Sequence, residues 1–259
     1  MFLNEYQRTA QYTLTPDMQA VVASRVDYSS PDTVRDIDSM EPDARALLML
    51  GGIGLIGETG EVVDTLKKVI YHNHRLSHTH LVLEVGDCLW YLAAFAGACG
   101  IPLTEVAREG FGPITAPNRR DFAAYQTAIA RMHFSSVEDG ELLRDVQLLQ
   151  LTEQTPRALG GTSGAKFNEY AGLFSLGLGA QAGILANTVT DSIMLGEALR
   201  QERMRHELSQ YLIVLTALAT LVGVRMDHAA QANIEKLRKR YPDGFDPQRS
   251  QARAEVPHG

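Results

Sequence analysis

The chain has 259 residues, 45% of them hydrophobic, enough to bury one large core or two modest ones. Its formal net charge of −7 argues against general affinity for nucleic acid polymers or anionic membranes. The start, MFLNEYQRTAQ, lacks the basic and apolar regions of a secretory leader, and the longest apolar runs, 89–101 and 212–224, have 13 residues where a bilayer needs about 20.

Apolar residues recur at intervals of three and four over 46–70, 80–108, 122–134, 170–199 and 204–240, which predicts helices. Alternating β-branched runs bounded by turn residues are absent, so the expected fold class is all-α, with antiparallel helices packed as bundles. Polar loops at 27–43 and 152–164 precede the apolar helices, and GFGPITAPNRRD (110–121) has a linker's proline and glycine content. The end, DPQRSQARAEVPHG, has no apolar period and is expected to be mobile. Cys88 and Cys99 fall on one predicted helix about 16 Å apart, too far for a disulfide. Two unpaired thiols and no export signal point to the cytoplasm.

The two longest apolar runs lie 123 residues apart, and the same offset brings Leu50, Gly54, Gly60, Thr65, Glu84, Leu89 and Gly100 onto Leu173, Gly177, Gly183, Thr188, Glu207, Leu212 and Gly223. EYQRTA (5–10) and AYQTAI (124–129) align at a slightly different offset. The sequence therefore reads as a tandem duplication: repeat one at 1–110, linker at 111–121, repeat two at 122–246 and tail at 247–259.

Glu58, Glu61 and Asp64 follow at intervals of three on one predicted helix, as do Glu84 and Asp87 on the next. Residues three apart share a helix face, so two facing pairs would crowd four carboxylates beside Leu55, Val62, Leu83 and Leu89. Such crowding is costly unless a cation lies between them, and a hard divalent ion such as Mg²⁺ takes oxygen ligands. A solvated acidic face is the plain alternative, disfavoured by the apolar surroundings. Tyr91 lies one turn beyond Asp87, where its ring could meet a base or sugar; Trp90 reads as core. Lys67 and Lys68 either meet phosphate or complement a helix dipole. Asn233, Lys236 and Arg240 form a polar, cationic stripe that ends at Tyr241 and Pro242. Gly52, Gly54 and Gly57 spell GxGxxG but suit close helix packing, and His72, His74, His78 and His80 read as loop histidines without zinc-site spacing.

ExxE (58–61), 22 residues, then ExxD (84–87) resembles the all-α nucleoside triphosphate pyrophosphohydrolases of the MazG-like group. The likeness extends to LNEYQRTA, GETGEVVDTLKKVIYH, EVGDCLWYLAAFAGACGIPLTEVA and ANIEKLRKRYPDGF. It implies hydrolysis of an NTP or dNTP to monophosphate and pyrophosphate, with Mg²⁺ (or Mn²⁺ as substitute) on Glu58, Glu61, Glu84 and Asp87. It also implies that Asn233, Lys236, Arg240 and Tyr241 face phosphate.

Unlike single-copy members of that group, each repeat lacks what the other keeps. Gln181, Ile184, Asn187 and Gln210 replace Glu58, Glu61, Asp64 and Asp87, leaving Glu207, while Gly110 stands where repeat two has Asn233. The expectation is a fused pseudo-dimer of two MazG-like bundles with one active site per chain, assembled from both repeats. A catalytically silent nucleotide-binding regulator, or a helical scaffold whose acids merely pair with lysines, is the alternative. The expected partner is a nucleoside triphosphate, with no nucleic acid polymer or membrane, and with room for a homodimer.

Overall fold

A computed structural model describes residues 1–28, 41–109, 122–123, 126–127 and 162–251. Helices are the regular elements of these residues, and no strand forms among them. The order is α1 (Leu3–Gln11), α2 (Pro16–Arg25), α3 (Pro42–His72), α4 (His78–Ala98), α5 (Leu103–Glu109), α6 (Thr162–Met194), α7 (Gln201–Leu221), α8 (Met226–Arg240) and α9 (Pro247–Gln251).

Local chemistry sets these boundaries. Thr15 caps α2 by accepting from the Met18 amide, with Pro16 in the first turn, and Ser77 caps α4 by accepting from His80. Asn73, after α3, and Gly100 and Gly223, after α4 and α7, take left-handed conformations with φ of 56°, 72° and 74°. The two glycines break the continuous periodicity of 80–108 and 204–240 into two helices each. The first residues of the expected mobile tail form α9 instead. Asp246, directly before Pro247, accepts from the Gln248 amide at 2.8 Å, so an Asp-Pro start makes a helix without any apolar stripe. Residues 252–259, the linker 111–121 and nearly all of 122–161 lie outside the described residues, as does most of the loop at 27–43.

α3, α4, α6 and α7 form the central bundle, with α3 against α4 and α6, and α6 against α7. Leu47, Leu55, Val62 and Leu66 of α3 meet Leu81, Val85, Leu89, Leu92 and Phe95 of α4 in one core with Leu178, Leu185, Leu208 and Leu212. The arrangement crosses over: α8 packs on α4, and α5 packs on α7. α4 and α7 each have 21 residues and start 123 apart; α5, with 7 residues, and α8, with 15, also start 123 apart. Gln7 accepts from the Leu103 amide and donates to the Ile101 carbonyl. Gln126 does the same with Met226 and Val224. Cys88 and Tyr211, themselves 123 apart, meet side by side, and burial makes both weaker acids, raising their pKa.

The runs 89–101 and 212–224 are buried core as expected, but measured as whole helices some segments reach a membrane's span by length and composition. α3, α4 and the 167–194 part of α6 are long and apolar enough, and α7 with α8 would make a fourth if that pair, bent by 101°, were one span. Uninterrupted apolar runs understate these helices, because glycines and single carboxylates punctuate them. In α4 72% of the apolar window is buried inside the protein, against 39% in α3 and 33% in α6. α3 and α6 therefore keep open outer faces, where Met49, Ile53, Ile56, Leu173, Leu176 and Ile184 are exposed.

Candidate functional site

α3 and α4 bring three carboxylates together. Glu58, Glu84 and Asp87 are each half-buried, and each offers an oxygen within 4.8 Å of the others. Octahedral Mg²⁺ with bonds of about 2.1 Å needs ligand oxygens about 3.0–4.2 Å apart, so this all-oxygen set fits a hard divalent ion with small side-chain movements.

Glu61 does not join them. A three-residue step turns a helix by about 300°, and α3 already buries Leu55, Thr59 and Val62. Glu58 thus sits at the edge of the core while Glu61 lies exposed. Lys67 and Lys68 are also turned to solvent, where both pair with Asp64, and these contacts hold its carboxyl down to about 2. Their nearest acid is therefore on their own helix and outside the three-carboxylate cluster.

Crowding shows in the proton affinities. Burial first, then the charges of Asp87 and Glu84, lifts the Glu58 carboxyl from 4.5 to about 7, and Glu84 is raised by burial and by Asp87. Lys236 opposes both shifts. His80, at the start of α4, lies 3.3 Å from Glu84 and is no part of a histidine metal cluster among the described residues.

The cationic stripe of α8 reaches this cluster. Lys236 Nζ bonds both oxygens of Asp87, and Asn233 Nδ2 donates to Asp87 Oδ1 at 2.7 Å. Asn233 is fully buried, and the hydroxyl of Tyr6 on α1 donates to its Oδ1 at 3.2 Å and to the Gly86 carbonyl at 3.4 Å. α8 comes this close because residue 86 has no side chain: a Cβ there would stand 2.7 Å from the Ala229 carbonyl and 3.0 Å from Asn233 Cβ. Tyr6 and Gly86 were not singled out from the sequence. The signal for Gly86 was its replacement by Ser209 at the matching position.

Other candidates fall elsewhere. Tyr91 is half-buried one turn beyond Asp87, its ring filling the place of a side chain at Gly54 on α3. Trp90 donates to the Ala10 carbonyl of α1 at 3.1 Å and to Thr13 in the turn after it at 2.8 Å. Arg240 turns to Ser250 on α9 and lies over the Tyr241 ring at 4.9 Å. Tyr241 is buried against Phe245. The GxGxxG glycines are interior to α3, and no strand precedes them among the described residues.

Glu207, 123 residues after Glu84, is held by side chains of its own surroundings. Glu207, nearly buried, accepts from Arg203 at 2.7 Å and from Thr188 at 2.8 Å, and Arg203 also donates to Thr188 at 2.9 Å. Gln181 and Gln210 occupy the sequence positions 123 residues after Glu58 and Asp87, so of the three offset positions only Glu207 is a carboxylate, and the Arg203 guanidinium pairs with it. No family model, curated protein or solved structure matches the chain.

Proposed function

We propose that the chain is a Mg²⁺-dependent pyrophosphohydrolase of the MazG-like kind, converting a nucleoside or deoxynucleoside triphosphate to its monophosphate and pyrophosphate. The observation that carries this reading is the meeting on Asp87 of three clustered carboxylates with Asn233 and Lys236 from a distant helix. A phosphohydrolase needs both halves of that arrangement, anionic ligands for a metal and a cation for the phosphates.

Glu58, Glu84 and Asp87 would hold the ion, Mg²⁺ or Mn²⁺ in its place, with Glu61 as an outer member of the set. A divalent ion there would polarise phosphate oxygens and acidify a water molecule. Asn233 and Tyr6 orient Asp87, and a bound cation would favour the ionised form of Glu58, whose carboxyl burial and the neighbouring acids lift to about 7. Tyr91, one turn beyond Asp87, would be the side chain to meet a base or sugar once its ring leaves Gly54. Lys67 and Lys68 would first have to leave Asp64 to reach phosphate.

The chain is further read as a duplicated, fused pseudo-dimer with one composite site. The common 123-residue offset, the paired roles of Gln7 and Gln126, and the meeting of Cys88 with Tyr211 support a pseudo-twofold. Arg203 on Glu207 supports a silent second half. We read the chain as cytoplasmic and without membrane or nucleic acid partners, a reading supported by its net charge of −7 and by the protein-covered α4. The open apolar stripe of α3 and α6 would suit pairing with a second copy, which light scattering would detect as a doubled mass.

The Lys236–Asp87 pair also favours one rival, a silent nucleotide-binding regulator or scaffold in which the lysine simply neutralises the acids. A panel of NTPs and dNTPs with Mg²⁺, read by pyrophosphate release, separates the two. Turnover of at least one nucleotide supports the hydrolase. Binding without turnover supports the rival.

A further inference from the structure

Lys236 stands in the carboxylate cluster as a cation would. It bonds both oxygens of Asp87, with the two side chains only 24% and 17% exposed, and its charge is also felt by Glu58 and Glu84. The two Asp87 oxygens are held differently. Oδ1 accepts from Asn233 as well as Lys236, whereas Lys236 is the partner of Oδ2 among the described residues. Asn233 is buried and fixed by Tyr6, so Asp87 keeps its orientation when the lysine moves.

The two halves differ in the kind of cation they use. Glu207, alone in its half, is held by Arg203, whose planar fork also bonds Thr188. A rigid multidentate guanidinium suits a permanent pair, while an ammonium on a flexible four-carbon stem suits exchange. The half with three clustered acids carries the exchangeable one.

Building on the metal-site reading above, we propose that Lys236 is a resident counter-cation which a divalent ion displaces from Asp87 Oδ2. Its freed ammonium then becomes available to the phosphate groups of the incoming nucleotide. Metal entry and phosphate grip are thereby coupled through one side chain. A specific consequence follows: removing the lysine charge strengthens metal binding by the nucleotide-free protein while weakening the hold on phosphate.

The test is Mn²⁺ titration of the full chain without nucleotide, followed by electron paramagnetic resonance, for wild type, Lys236→Met and Asp87→Asn. Lys236→Met is expected to bind Mn²⁺ about five- to tenfold more tightly, equivalent to about 1–1.4 kcal/mol. It should then bind inorganic triphosphate, a probe free of base preference, at least fivefold more weakly once Mn²⁺ is bound. Asp87→Asn should lose Mn²⁺ binding. Unchanged or weaker Mn²⁺ binding by folded Lys236→Met would overturn the counter-cation role and leave the metal site standing. No Mn²⁺ binding by either wild type or Lys236→Met would overturn both. Should Lys236→Met fail to fold, wild type decides: the Lys236 side-chain NMR resonance must shift on saturation with Mg²⁺, and an unmoved resonance overturns the displacement.

Discussion

Gly86→Ala tests the assembly of the site without touching any group that could bind metal or phosphate. The added Cβ would lie 2.7 Å from the Ala229 carbonyl oxygen, a backbone atom that cannot rotate away, and 3.0 Å from Asn233 Cβ. Restoring ordinary contact requires α8 to retreat from α4 by about 0.5–1 Å. Overpacking of this kind costs about 1–3 kcal/mol, partly offset by about 1 kcal/mol from replacing glycine inside a helix. A net stability loss of about 0–2 kcal/mol is therefore expected from urea unfolding. The effect on turnover should be larger, because α8 carries Asn233 and Lys236 to Asp87, and a displacement near 1 Å can cost about 100-fold. Mn²⁺ binding should persist, since the three carboxylates lie on α3 and α4. Gly60→Ala is the control: nothing lies within 4 Å of its Cβ, so stability should rise by about 0.5–1 kcal/mol with the rate unchanged. A folded Gly86→Ala protein with the wild-type rate of pyrophosphate release would refute the composite site.

Asp87→Asn should cut turnover at least about 100-fold and chelation should abolish it, both measured by pyrophosphate release with and without EDTA. Glu207→Gln should leave the rate within a few-fold while costing about 1 kcal/mol in unfolding free energy, because it weakens a largely buried pair with half-exposed Arg203. Glu84→Gln, at the matching position, should lose the rate; equal kinetic damage from the two would mean the second half is not silent. Stability of the metal-free protein should fall as pH rises, since burial and the neighbouring acids lift the Glu58 carboxyl from its ordinary 4.5 to about 7 in the folded chain. Its contribution is fully present below about pH 4.5 and lost as pH rises through about 7, worth about 1–2 kcal/mol after allowance for its partial exposure. Saturating Mg²⁺ should reverse that slope in thermal melts, because the ion favours the ionised carboxylates.

Helix class and the two acidic helices were legible because periodicity and i,i+3 spacing act over short range. The breaks at Gly100 and Gly223 were less so, since apolar residues continue through both turns and only the positive φ ends the helices. Spacing also placed Glu61 with Glu58. Which of two residues on one broad face turns to the cluster depends on the direction from which α4 approaches, and that is set by tertiary packing. Lys67 and Lys68 were legible as cations, but the nearer acid on their own helix takes them. Lys236 was placed beside the carboxylates by complementary loss between the halves, a long-range inference that no local pattern supplies. Arg240 shares its stripe, yet lies near the end of α8 and is drawn to α9, whose Asp-Pro start carries no apolar period.

The most direct measurement is ³¹P NMR of the products when the full chain is incubated with a nucleotide panel and Mg²⁺. Pyrophosphate and a nucleoside monophosphate should appear in equal amounts from at least one nucleotide, and neither should form with Asp87→Asn. Orthophosphate with a diphosphate would contradict cleavage between the α and β phosphates, and an unchanged panel with folded, metal-loaded protein would contradict the hydrolase reading itself.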